Sequence, residues 1–266
     1  MRKLLILTTI LAIALLTLGI ITSAFGACLG CPDWPLCYGS FLPPQTIAAK
    51  LEYYHRLLAG IVGILSIIIG LAYYKKQKNL SILLIVLIIS QILLGGLTVL
   101  LKMPFIISIS HALFGILTYI TLLLMLKNVK IKIEKNFWTI IFMLTFVYYM
   151  WGSIVDKTAS SLACENIFCI SSNFSNSKVV IQFIYQVIGF SIVVLSLISI
   201  LKFEIKKLIF LIMSILLLIL QYLIVKSLLS VSMITLHYLV LISALSFSLL
   251  NALKKEEQPS LKTLEI

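Results

Sequence analysis

Long apolar runs alternate with short polar breaks from one end of the chain to the other. About 20 apolar residues are needed to cross a bilayer core. Eight runs reach that length, at residues 4–22, 51–74, 80–101, 104–126, 137–155, 179–201, 208–228 and 230–252. The pattern predicts an all-α integral membrane protein of eight transmembrane helices. The breaks at Lys102–Met103 and Leu229–Ser230 are short, so tight loops are expected there. Composition agrees, with 61% hydrophobic and 11% charged residues, far too apolar for a soluble domain.

The net charge of +12 matters through its placement. Most of the lysines and arginines cluster at Arg2–Lys3, Lys75–Lys78, Lys127–Lys135, Lys202–Lys207 and Lys254–Lys262, in alternate loops. The other loops and the helix ends beside them carry Lys50, Arg56, Lys102, Lys157, Lys178 and Lys226. The positive-inside rule then predicts both termini in the cytoplasm, the cysteine-bearing loops outside and a multi-pass protein of the cell membrane. Membrane lipid is the surrounding partner, and the basic charge is a topology signal rather than a nucleic-acid footprint. Residues 1–27 also have the outline of a signal peptide, with Arg2–Lys3, an apolar run and small residues near Ala24–Ala27. An internal repeat argues instead for a retained helix.

That repeat has a period of about 130 residues. Gly19-Ile-Ile-Thr precedes Cys31 by twelve positions, and Gly152-Ser-Ile-Val precedes Cys164 by twelve. Cys37 and Cys169 follow their partners by six and five positions. Leu51-Glu-Tyr-Tyr-His-Arg matches Ile181-Gln-Phe-Ile-Tyr-Gln, Gln91 matches Gln221, and His111 matches His237. Four helices per unit do not allow inverted topology. The expectation is two parallel-repeat four-helix bundles, residues 1–130 and 131–266, related by an axis along the membrane normal.

The three histidines, His55, His111 and His237, each lie just inside an apolar run. Ionisable residues at membrane depth are functional-site candidates by default. His55 lies about one helical turn, and His111 about two, from the outer end of its helix, so both fall within roughly 10 Å of that boundary. Their helices run the same way, so the two imidazoles can sandwich one metal ion. Haem iron is a favoured partner for imidazole. In the second half His237 has the matching depth, and Tyr185 stands at the position of His55.

Glu52-Tyr-Tyr-His55-Arg56 is the densest polar group in the membrane portion. Glu52 and His55 share a helix face, which suits Glu52 to proton uptake or to stabilising positive charge beside a haem edge. A plain ion pair with Arg56 at the interface is the other reading. Arg56 also suits a haem propionate, because guanidinium forks match carboxylates. Gln91-Ile-Leu-Leu-Gly95-Gly96-Leu-Thr98 places adjacent glycines where a helix or a flat macrocycle can approach closely. Of the five cysteines, the repeat pairs Cys31–Cys37 and Cys164–Cys169 and leaves Cys28 over. Cys28-Leu-Gly-Cys31 reads as well as a CxxC redox pair. No histidine lies in these loops to complete a zinc site.

Taken in order, Cys31-Pro-Asp-Trp-Pro-Leu-Cys37-Tyr-Gly39, Glu52-Tyr-Tyr-His55-Arg56, Gln91-Ile-Leu-Leu-Gly95-Gly96-Leu-Thr98-Val99 and His111-Ala112 resemble the haem A synthase family. The match runs through the whole first half and more loosely through the second. The resemblance implies an eight-helix pair of four-helix bundles and an oxidoreductase that takes the C8 methyl of haem O to the formyl group of haem A. It implies that His55 and His111 hold the substrate haem, that Glu52 is catalytically important, and that Cys31 and Cys37 form a disulfide. It also implies a haem b cofactor in the second half as electron acceptor. Haem O synthase, the protohaem farnesyltransferase, is then the expected upstream partner, and a terminal oxidase the recipient of the product. The chain departs from the family pattern at Tyr185, where a histidine is usual, and at Gln186, where Arg-like chemistry is usual. The second half then binds haem through His237 alone, through His237 with Tyr185, or is a structural remnant. Two rivals stay open: a non-catalytic membrane cytochrome b, which leaves Glu52 and the paired cysteine loops unexplained, and a membrane thiol-disulfide oxidoreductase using Cys28 and Cys31, which leaves the histidines unexplained.

Overall fold

The computed structural model describes residues 1–127, 136–161, 163–164, 169, 172–201, 204–225 and 230–253. The basic residues at 130–135, 202, 226 and 254–262, and the expected tight turn at Leu229, lie outside them. The described residues form eight helices: α1 (Arg2–Ala24), α2 (Ile47–Tyr73), α3 (Lys78–Leu100), α4 (Phe105–Lys127), α5 (Phe137–Lys157), α6 (Ser177–Ser199), α7 (Ile205–Val225) and α8 (Val231–Ala252). All eight are long and apolar enough to cross a membrane, and the protein is a multi-pass membrane protein.

Most helix ends fall within two residues of the apolar runs, while α2 and α7 begin about a turn earlier, ahead of the polar residues Lys50, Glu52, Lys206 and Lys207. Thr46 caps α2 by accepting the Ala49 N–H at 3.3 Å, so the helix begins ahead of Lys50 and Glu52. Asn136 and Ser230 cap α5 and α8 through the N–H groups of Thr139 and Met233. A bilayer offers no water to polar groups, so these must be satisfied within the protein. Along α1 the hydroxyls of Thr8, Thr9, Thr17 and Thr22 donate to carbonyls one turn back. Between α3 and α4 the chain reverses by placing Lys102 and Met103 at φ 58° and 63°. Their N–H groups close onto the carbonyls of Val99 and Thr98.

α1 and α3 each pack against both α2 and α4, while α5 and α7 each pack against both α6 and α8. α2 and α4 therefore face one another across the first group of four, and α6 and α8 across the second. The groups join along α1–α8 and α4–α5. Tyr119 on α4 shares a 2.7 Å hydrogen bond with Ser246 on α8. Ser23 at the end of α1 donates to Asp156 at 2.7 Å and accepts from Lys157 at 2.8 Å. Side chains such as Ile64, Leu71, Val86 and Leu93 point outward, as suits a lipid surround.

Candidate functional site

The segment before α2 folds back over one end of the first group. Cys31 and Cys37 are joined by a disulfide with Cα atoms 4.7 Å apart. Cys37 and Ser40 exchange backbone hydrogen bonds. The Asp33 carboxylate accepts the N–H groups of Tyr38 at 2.6 Å and Gly39 at 2.7 Å, which fixes a turn whose residues 38 and 39 both have positive φ. The Gly39 hydrogen bond, with that of Tyr38, holds the Asp33 carboxyl below the usual carboxylate range. A depressed folded-state pKa stabilises the turn above the unfolded value of about 4 and is lost as pH falls through the folded one. As pH falls through the acid range the amide resonances of Tyr38 and Gly39 are expected to move, with a midpoint below that of a free aspartate. In Asp33→Asn that titration should be absent.

Glu52 is 4% exposed. One carboxylate oxygen accepts the Cys31 N–H at 2.8 Å, and the other accepts from Arg56 at 2.5 Å. Arg56 also donates to the carbonyls of Asp33 (2.7 Å), Leu36 (2.6 Å) and Cys31 (3.1 Å). One side chain thus ties the disulfide loop to α2. The Nη contacts of Arg56 all go to the loop and to Glu52. Its Nε is buried without a hydrogen-bond partner among the described residues.

His55 lies on α2 and His111 on α4, the two helices that face one another across the first group. Each is partly buried, and each has a buried Nδ1 with no hydrogen-bond partner among the described residues. A glycine on a flanking helix makes room for each ring. A Cβ at Gly19 of α1 would stand 3.1 Å from the His55 ring, and one at Gly95 of α3 would stand 3.4 Å from the His111 ring. Gly96, the next residue, lies against the indole of Trp34, so the loop covers this end of the group. Gln91 donates to the His111 carbonyl at 2.8 Å, which fixes α4 against α3.

The second group repeats the anchor with neutral atoms. Cys164 and Cys169 are joined by a disulfide. Gln182 on α6 accepts the Cys164 N–H at 2.7 Å and donates to the Ser161 carbonyl at 2.6 Å. At its centre the Tyr185 hydroxyl lies 2.9 Å from His237 Nε2. His237 is 2% and Tyr185 3% exposed. Tyr148 stacks on Tyr185 with centroids 4.3 Å apart and planes 10° apart. The rings of Tyr148, Tyr185 and Tyr238 surround His237 edge-on. Cys28 is a free thiol, since Cys31 is bonded to Cys37. Burial pushes its pKa up, which disfavours the reactive thiolate.

Sequence reasoning missed three participants. Gln182 was within reach, because the repeat register sets it opposite Glu52. Trp34 as a cover over Gly96, and Tyr148 as the ring stacked on Tyr185, carry no signal in spacing.

Residues 2–52 match a family model described as cytochrome oxidase assembly protein. The chain is similar to the haem A synthase of Bacillus licheniformis, 32% identical over 189 residues and 63% of each chain. It is similar to that of Bacillus pumilus, 29% identical over 188 residues, covering 62% of this chain and 61% of the relative. It is also similar to that of Shewanella oneidensis, 34% identical over 141 residues, 45% of this chain and 42% of the relative. The chain thus spans about three fifths of the length of the two Bacillus relatives. Fold and site define a multi-pass membrane protein with a partly open histidine pair beneath a disulfide-closed loop. Along about three fifths of its length the chain is similar to haem A synthases, and its first 52 residues fit the cytochrome oxidase assembly family model.

Proposed function

We propose that this chain is a haem A synthase, an oxidoreductase that converts haem O to haem A by taking the C8 methyl to a formyl group for use in terminal oxidases. The observation that carries this reading is a pair of partly open imidazoles on facing helices with a buried carboxylate one turn away on α2. His55 and His111 would hold the iron of the substrate from its two faces, as neutral imidazole does in haem proteins. Taking the methyl to a formyl group adds an oxygen atom and needs an oxidant from outside the chain, either dioxygen or an electron acceptor acting with water, and the iron of bound haem O would mediate the electron transfer. Each oxidation step removes protons as well as electrons, and Glu52 is the group placed to accept a proton near the ring edge. Arg56 orients that carboxylate and ties the disulfide loop to α2.

The finer assignments belong to the same proposal. Residues 1–130 form the catalytic unit and 131–266 a parallel repeat of it, with both termini in the cytoplasm and the cysteine loops outside the cell membrane. Haem O synthase is the proposed upstream partner, since it makes the substrate.

The test is extraction of haem from the full chain purified after co-expression with a haem O synthase, followed by mass identification. Haem A, or its hydroxylated intermediate, is the expected product. Unchanged haem O bound at full occupancy would favour a non-catalytic cytochrome, and a haem-free protein would remove both.

A further inference from the structure

We infer that the second helix group of this chain holds no haem, and that any haem the protein carries resides in the first group. The axial positions expected there are Tyr185 on α6 and His237 on α8. Metal–imidazole bonds run about 2 Å, so two ligand atoms on opposite sides of an iron lie roughly 4 Å apart. The Tyr185 hydroxyl and His237 Nε2 are 2.9 Å apart and share a hydrogen bond. No iron fits between them.

A porphyrin also needs a flat slab of space that extends well beyond its axial line. Here that space is filled. Tyr148 is 1% exposed and lies face to face with Tyr185. Tyr238 packs edge-on against His237 from another side. Gly152 stands where the repeat puts Gly19, but a Cβ on it would meet the Tyr185 and Tyr238 hydroxyls, each at 3.1 Å, instead of an imidazole. In the first group the histidines keep accessible surface, whereas in the second the histidine is sealed by aromatic rings. The polar partners changed in step. Gln182 and Gln186 stand in the register of Glu52 and Arg56, so the second group lacks both the buried carboxylate and the guanidinium. The ring of Tyr148 is held by its face-to-face stack on Tyr185. A group packed this way serves as a support for the first, through the α1–α8 and α4–α5 contacts.

Exclusion at His237 stands on this packing alone, while the count of one haem per chain rests on the proposed reading of His55 and His111. The experiment is a haem-to-protein ratio for the full chain purified from a host that supplies haem b and haem O, read by pyridine haemochromogen and amino-acid analysis. The wild type should carry no more than about one haem. His237→Gln, which keeps a side-chain partner for Tyr185, should leave that ratio unchanged. The double variant His55→Ala/His111→Ala should lower it at least tenfold. Two haems per chain, or a loss of haem in His237→Gln, would overturn the inference, as would a tyrosinate-ligated resonance Raman signature abolished by Tyr185→Phe. The last readout needs only a mild variant. A wild type free of haem would refute the proposed function and leave this inference standing.

Discussion

Glu52→Gln is expected to stop haem A formation while leaving the fold and haem binding in place. Turnover should fall by about 10²–10⁴, the range for loss of a positioned proton acceptor. The chain supplies its own control for this substitution. Gln182 already performs the anchoring part of the job in the second group, accepting the Cys164 N–H at 2.7 Å as Glu52 accepts that of Cys31 at 2.8 Å. An amide at position 52 can therefore hold the loop. It cannot take up a proton, and it carries no charge to offset a cationic intermediate. Arg56 keeps its three carbonyl acceptors in the variant, so the cover over the histidines should remain shut. The measurement is product mass and rate after co-expression with a haem O synthase, with absorbance spectrum and melting temperature as controls. Undiminished haem A from Glu52→Gln would reduce Glu52 to a loop anchor. Lost product with an intact haem spectrum separates a synthase from an electron carrier, which has no use for the carboxylate.

Parts of this molecule were legible in the chain for definite physical reasons. A bilayer demands about 20 apolar residues per crossing, so the eight helices stand out as runs, and only their ends drift where capped polar turns such as Thr46–Glu52 interrupt the apolar signal. Depth along a helix follows from counting residues, so the sequence alone suggests similar depths for His55 and His111. What Arg56 holds could not be read. Its acceptors are mainly carbonyls of residues 31–36, and a backbone carbonyl leaves no trace in residue identity. Tyr148 was equally silent, because an aromatic residue on a membrane helix is ordinary until its ring is found against Tyr185. Tyr185 itself was visible as a departure at the register of His55. Its consequence was not, because spacing cannot tell whether a phenol and an imidazole bracket a metal or bond directly to each other.

Arg56→Ala should give the largest loss of stability of any single change at this site. The Glu52 and Arg56 side chains are 5% and 16% exposed. Removing one member of a buried pair leaves the other as an uncompensated charge, at a cost of about 3–5 kcal/mol. Three loop carbonyls lose their donor at the same time. Lysine at position 56 should not restore the wild type, because a compact ammonium cannot reach four acceptors in the planar fork that a guanidinium presents. The charge component can be isolated with a double-mutant cycle. In a Glu52→Gln background, Arg56→Ala no longer strands a carboxylate, so its cost should fall to that of the lost carbonyl hydrogen bonds, about 1 kcal/mol each. Apparent melting in detergent, for the wild type, both single variants and the double, supplies the four corners. A positive coupling of 1 kcal/mol or more is expected. Additive effects would mean that the two side chains act on the loop independently, and that the carboxylate does not depend on Arg56 for its position beside His55.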